Sequence, residues 1–391
     1  MTHRKKKKIA GIIRLSMLIL LPSVIAASAS CIGRMNNLLK SESKTAEEQS
    51  AYAVTRDDNT KASEYKKTAS VSPDDLLTGS LILSEGYGIS DETTDTSPKV
   101  KLKDPTKTVS DDAGPKPYPT SWSDGGTIIR NTYQPYSGNC FFDLENGGQV
   151  NNKSDIPNET LIEESRCLPN FEIGSSAQPQ VLIYHTHTSE SFEPYVRESY
   201  DPSFNYRTTD ETKNVVMVGD AIQAELEAQG FNVIHVRTIH DYPSYNGAYD
   251  RSRASIQPIL EQYPSIKVAL DIHRDAISGE NVAYQPYITV NNKEAAQIMI
   301  ISGCDDGTLD MPNFMKNFHF ASSLQQQLES DTPGLTRPIL FDYRKYNQDL
   351  TTGSLLIEVG SHGNTLEQVQ YSGQLFGRSL ARLLKTLKKE D

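Results

Sequence analysis

Cysteine is scarce in this chain of 391 residues. There are four (Cys31, Cys140, Cys167, Cys304), and no two form a CxxC pair. A cysteine-type zinc module is therefore not expected. An HExxH helix and a GxSxG turn are also missing, so the common metalloprotease and serine-hydrolase signatures do not apply. Basic residues cluster only at the extreme N-terminus and the net charge is −11, which gives no footprint for nucleic acid. No internal repeat is visible. Hydrophobic residues make up 37% of the chain, low for a fully folded enzyme of this size. The shortage is local: the first part of the chain is polar and the second is not.

What is present begins with a leader. Arg4 and Lys5–Lys8 precede a stretch from Ile9 to Ser30 that Arg14 and Pro22 interrupt but that is almost continuously apolar or small from Leu15 to Ala29. A basic flank before such a stretch reads as an export signal with its start held in the cytoplasm. Two outcomes compete: cleavage after Ala27–Ala29, or retention as a single-span anchor with Arg14 reaching back to the interface. Lipidation at Cys31 is the weaker third. In each case the rest of the chain is expected outside the cytoplasm.

The sequence divides the chain into a basic tail (1–8), a transmembrane anchor or signal segment (9–30), a disordered extracytoplasmic linker (31–121), a small accessory β-containing region (122–178) and an α/β domain (179–391). The linker has too little apolar surface to offset its ordering entropy. The accessory region contains β-like pieces at 127–133 and 139–143, and a Cys140–Cys167 disulfide is permitted there.

From Val181 the pattern alternates. Strands are expected at 181–184, 232–236, 267–272, 284–290, 297–302 and 355–359, and helices at 212–229, 247–262, 311–329 and 366–388. Gly230 sits where a helix C-cap is wanted. Such alternation predicts a mostly parallel sheet flanked by helices on both faces. Three of the strands are short apolar runs of the kind buried in parallel sheets. In such sheets ligands bind beyond the carboxyl ends of the strands.

Those three runs carry the chemistry. Val181–Tyr184 leads into His185, His187 and Glu190. Residues two apart in an extended segment share a side, so both imidazoles can face one pocket. Val268–Ile272 leads into His273, Arg274 and Asp275; the last two either brace the loop as an ion pair or meet substrate. Glu358 lies inside the apolar run Leu355–Val359, where a carboxylate is costly unless paired or kept for proton transfer. Two His and one carboxylate with a free position match catalytic Zn2+ better than Mg2+ or Ca2+. His3, His235, His240, His319 and His362 lack carboxylate company at a strand rim, and His362 is the nearest rival.

The runs at 184–192, 271–276 and 353–360, with Asn364–Glu367, resemble the stage II sporulation protein P family and, more widely, zinc-dependent N-acetylmuramoyl-L-alanine amidases. The resemblance implies an amidase-like α/β domain. It implies that His187, Glu190 and His273 bind zinc, with Glu193, Glu198 and Glu211 as other carboxylates for the middle place. His185 would be a supporting or alternative ligand, and Glu358 the catalytic group. It further implies a peptidoglycan substrate, amide cleavage before L-alanine with peptide cross-link cleavage as an addition, and work with sporulation proteins D and M in septal thinning and engulfment. The location implied is the membrane, facing the space between mother cell and forespore. Two other readings remain: a wall-binding or scaffold module with a degenerate site, and an endopeptidase confined to stem peptides.

Overall fold

The computed structural model describes residues 114–174, 178–279 and 281–388. The leader and most of the linker lie outside them. Among the described residues no helix is long and apolar enough to cross a membrane.

The strands are β1 (Gly126–Asn131), β2 (Phe141–Asp143), β3 (Gln149–Asn152), β4 (Val181–Tyr184), β5 (Ser199–Tyr200), β6 (Val233–His235), β7 (Val268–Asp275), β8 (Ser278–Gly279), β9 (Val282–Val290), β10 (Lys293–Ala296), β11 (Ile298–Cys304), β12 (Ile339–Tyr343) and β13 (Gly353–Ser361). The helices are α1 (Asn158–Glu164), α2 (Val216–Ala228), α3 (Ala248–Gln262), α4 (Phe314–Asp331) and α5 (Leu366–Thr386).

The main sheet has eight strands in the order β2-β3-β12-β11-β13-β7-β4-β6. It is mostly parallel; β2/β3 and β11/β13 are the antiparallel pairs. The three motif-bearing strands are neighbours and mutually parallel, with β7 between β13 and β4. Their carboxyl ends therefore open on one side of the sheet, which is what brings distant motifs together.

Alternation along each strand assigns the two faces. Val181, Ile183, Leu270, Ile272, Leu355 and Ile357 pack with Val218 and Ile222 of α2, Phe318 and Leu324 of α4, and Phe376 and Leu380 of α5. Leu182, Tyr184 and Ala269 point the other way and meet Ile256 and Ile259 of α3. Three helices thus cover one face and one covers part of the other. The partly covered face carries Asp271, His273, Asp275 and Glu358.

Local signals explain the boundaries. Helix α2 stops at a Schellman motif: Gly230 takes φ +84°, its N–H reaches the Glu227 carbonyl, and the Phe231 N–H reaches that of Leu226. Helix α2 begins at Val216 rather than 212 because Asn214 Oδ1 accepts from the Val216 N–H (3.0 Å), which holds the preceding residues in a turn. Helix α5 opens on a Thr365–Gln368 capping box.

Residues 122–178 contribute to both sheets. Strands β2 and β3 form the edge of the main sheet, with β3 parallel to β12. Strand β1 joins a second sheet, β10-β9-β1-β5, with β8 on β9. Cys140 and Cys167, between which a disulfide is permitted by the sequence, are not bonded to each other; among the described residues both are free cysteines. Strand β12 and helix α1, absent from the sequence reading, are short elements fixed by packing on neighbours distant in sequence.

Candidate metal centre

His187, Glu190 and His273 converge: one potential ligand atom from each lies within 4.8 Å of the others. Glu190 sits between the two rings, with Oε1 3.6 Å from His187 Nδ1 and Oε2 3.5 Å from His273 Nδ1. The ring centroids of His187 and His273 are 5.0 Å apart. These groups and Glu358 line one cleft of about 160 Å³, with Tyr245, Tyr249 and Tyr346 among its other walls.

The strands run further than the sequence suggested. β7 continues to Asp275 and β13 to Ser361, so His273 lies inside its strand and not just past its end, and Glu358 lies inside its strand as expected. They are register partners on adjacent parallel strands and so project side by side from the α3-covered face. The pairing of β13 with β7 shifts just after Glu358, at Gly360, whose φ is +65°. Only glycine takes that conformation without strain, and a Cβ there would lie 2.6 Å from Asn364 Oδ1.

His185 does not face the cleft. The chain leaves the strand after Tyr184 and turns over 186–189, so the two-residue rule for extended backbone no longer applies. The fully buried His185 ring donates from Nδ1 to the Ile272 carbonyl (2.9 Å). Its Nε2 is then the acceptor for His235 Nε2–H at 2.8 Å. Gly219 of α2 makes room for this pair; a Cβ there would lie 2.5 Å from His235 Nε2. Both nitrogens of His185 are engaged, which removes it as an alternative ligand and leaves it as a support for the strand that carries His273.

Other predicted groups have separate duties. The Arg274 N–H donates to Glu190 Oε2 (3.2 Å), and its guanidinium donates to the carbonyls of Ser191 (3.3 Å) and Tyr206 (3.2 Å). It anchors the loop bearing Glu190. Asp275 pairs with Arg337 Nη1 (2.8 Å) and not with Arg274, so of the two roles offered for this pair the bracing ion pair between neighbours does not form. Both still line the cleft. Glu193 accepts from the Tyr206 hydroxyl and lies 2.9 Å from Arg197 Nε, Glu211 pairs with Arg237, and Glu198 is exposed. None of these three joins the cluster. His362 is buried among Tyr200 and Tyr206, outside the cleft.

Several functional neighbours escaped the sequence reading. Asp271, fully buried, has Oδ1 2.9 Å from His273 Nε2. Its oxygens accept from the Thr186 N–H (2.7 Å) and hydroxyl (2.6 Å). A carboxylate behind a ligating histidine is the usual means of orienting one. Arg207 donates to Glu190 Oε1 (3.3 Å) and Asp241 Oδ2 (2.5 Å) and lies over the Tyr245 ring. Tyr245 in turn stacks on His187, with centroids 4.6 Å apart. Asp271 was visible as the one polar residue in an apolar strand. Arg207 and Tyr245 carried no sequence signal, because they come from loops.

The electrostatics divide the carboxylates. Burial works to raise the Glu190 carboxyl, but Arg274, the two imidazoles and Arg207 outweigh it and hold it well below the usual range. Burial lowers His187, with Glu190 opposing. Burial also works to lower His273, yet Asp271 and Glu190 outweigh it and hold the ring well above its ordinary value. Burial, then the charge of Asp275, pushes Glu358 up to about 8. One Glu358 oxygen, Oε2, is buried without a partner among the described residues. Of the two cleft glutamates, Glu190 is kept ionised and Glu358 is held near the point of proton exchange in the metal-free protein.

A mixed α/β sheet with a two-imidazole, one-carboxylate cluster on its face, beside a protonatable glutamate, defines a protein with a candidate metal centre at the carboxyl side of its strands. The chain belongs to the stage II sporulation protein P (SpoIIP) family, whose model matches residues 28–381. It is 31% identical over 203 residues to stage II sporulation protein P of Bacillus subtilis (strain 168); the match covers 49% of this chain and 47% of that relative, so the chain spans about half the relative's length. Among solved structures it resembles N-acetylmuramoyl-L-alanine amidase AmiC2 of Nostoc punctiforme (12% identity, 54% of this chain, 98% of that one, TM-score 0.31). It also resembles the CwlD amidase of Clostridioides difficile in its complex with the GerS lipoprotein (12% identity, 53% and 99% covered, TM-score 0.35).

Proposed function

We propose that this protein is a zinc-dependent peptidoglycan hydrolase, an N-acetylmuramoyl-L-alanine amidase that acts in septal thinning and engulfment during sporulation. The observation that carries the proposal is the convergence of His187, Glu190 and His273 beside Glu358 in one cleft. The donor set fits Zn2+. Each imidazole Nδ1 faces a different Glu190 oxygen, with Oε1 3.6 Å from His187 and Oε2 3.5 Å from His273, so the carboxylate spans the two rings. Bound there, zinc supplies Lewis acidity to an amide carbonyl and acidifies a water.

The chain's own residues do the rest. Glu358, whose Oε2 has no hydrogen-bond partner among the described residues, is the group that would accept a proton as water attacks the amide carbon and return it to the leaving amine. Arg207 and Arg274 hold the Glu190 carboxylate from two sides. Tyr245 and Tyr249 wall the cleft against bulk water. The proposed leader would place this domain outside the cytoplasm, where peptidoglycan and the family partners expected from the resemblance are found.

The purified full chain, incubated with sacculi, is expected to release stem peptides and leave free muramic lactyl groups, and chelation is expected to stop this. Mass spectrometry of the products decides. Cleavage only within stem peptides would make the protein an endopeptidase, and sacculus binding without turnover would make it a wall-binding module.

A further inference from the structure

We infer that Glu164, Cys167 and His319 form a second Zn2+ site, a clip that fastens helix α1 to helix α4. One potential ligand atom from each lies within 4.8 Å of the others. Helix α4 packs on the sheet face opposite α3, so this cluster is remote from the cleft. The inference stands independently of the proposed amidase activity.

Sequence spacing builds half of the cluster. Glu164 ends α1, and the Cys167 N–H donates to the Glu164 carbonyl (3.0 Å). That turn brings the Cys167 thiol to 4.0 Å from Glu164 Oε2. The other half is His319. Its ring is nine-tenths buried, and Nε2 donates to Glu164 Oε2 at 2.6 Å. Nδ1 is buried with no partner among the described residues, so the polar contact the ring makes there is into this cluster. Neither a CxxC nor a strand rim marks the site, and for that reason the sequence reading passed over His319.

The donor chemistry selects the ion. Thiolate, imidazole and carboxylate together suit Zn2+ and not Mg2+ or Ca2+. A tetrahedral zinc needs N-to-O and S-to-O separations of about 3.4 and 3.5 Å. The N-to-O distance is 2.6 Å, about 0.8 Å short, and the S-to-O distance is 4.0 Å, about 0.5 Å long. Exposed Cys167 and half-exposed Glu164 can supply the adjustment. Three protein ligands leave one position for water. Binding releases the Cys167 thiol proton to solvent and moves the imidazole proton from Nε2 to Nδ1, so one proton leaves per ion. The clip would tie down the segment after α1, where Phe171 packs edge-on against Phe320 of α4.

The test uses the purified full chain, loaded with zinc or cobalt alone. Wild type is expected to hold two zinc equivalents by inductively coupled plasma analysis. Cys167→Ser and Glu164→Gln are expected to drop to one, as is the His187→Ala/His273→Ala pair, and Cys167→Ser on that pair to none. Cobalt separates the two sites, because only this one offers sulfur. A thiolate-to-cobalt charge-transfer band is expected in wild type and in the His187→Ala/His273→Ala pair, and is expected to vanish in Cys167→Ser. Cys167 is exposed, so its replacement does not threaten the fold. A band absent from wild type, or one that survives Cys167→Ser, overturns the clip. If the His187→Ala/His273→Ala pair keeps all its zinc while Cys167→Ser loses an equivalent, the cleft reading fails and the clip stands.

Discussion

Replacing Glu358 by glutamine should move activity and stability in opposite directions. Glu358 is 8% exposed inside an apolar strand, and its pKa is pushed from 4.5 up to about 8. Between those values the unfolded chain carries an ionised Glu358 while the folded one keeps it protonated. The unfolded state therefore binds fewer protons, and stability falls as pH rises through this window, by about 1.4 kcal/mol per unit. By pH 7 the cost is on the order of 3 kcal/mol for the metal-free protein. The substituted amide keeps the shape of the side chain and never ionises, so the Glu358→Gln variant should be more stable than wild type at pH 7 by up to that amount, with the difference closing near pH 4.5. Turnover should fall by about 10²–10⁴-fold, the usual contribution of a positioned proton acceptor, or about 3–5 kcal/mol of barrier. Urea unfolding with chelator present, at pH 5 and pH 7.5, reads the first effect; peptide release from sacculi reads the second. Full turnover by a folded Glu358→Gln protein would refute the catalytic assignment. Parallel pH profiles for the two proteins would refute the account of the buried carboxyl.

His187→Ala and His273→Ala should each lose the cleft zinc, whereas His185→Ala should keep it and lose about 1–3 kcal/mol of stability from two broken buried hydrogen bonds; metal analysis and urea melts separate the two outcomes. Asp271→Asn should weaken cleft zinc by about 10–100-fold without removing a ligand, as competition with a chromophoric chelator would show. Zinc occupancy of the cleft should fall as pH drops through and below neutrality. His273, held well above its ordinary value by Asp271 and Glu190, takes up a proton that competes with the metal. Equilibrium dialysis across pH 5.5–8 checks this, and an occupancy independent of pH would count against His273 as a ligand.

The alternation of strands and helices was legible from Val181 onward, because a buried parallel strand and an amphipathic helix each leave a local pattern. Strand β4 coincides with its expected limits, and β7, β9, β11 and β13 differ by a few residues at their ends. Helix α1 and strands β3 and β12 were not legible. They are short, and β3 pairs with β12 across nearly two hundred residues, so their stability comes from partners the local sequence does not show. The same distinction divides the cleft. His187, Glu190, His273 and Glu358 stood out because polar groups at the ends of apolar runs are costly without a purpose. Arg207, Tyr245 and the turn of His185 away from its neighbour depended on loop paths that no period describes.

By itself, then, the amino-acid order determined the apolar strands β4, β7, β9, β11 and β13 and the polar groups they carry, since hydrophobic period and the cost of burying charge are both local. Only the tertiary structure decided that β4, β7 and β13 lie side by side, which imidazole of the His185/His187 pair faces the cleft, and that Glu164 meets His319 across 155 residues. Strand order and loop direction are set by packing among segments far apart in sequence, and they fix distances that no single segment encodes.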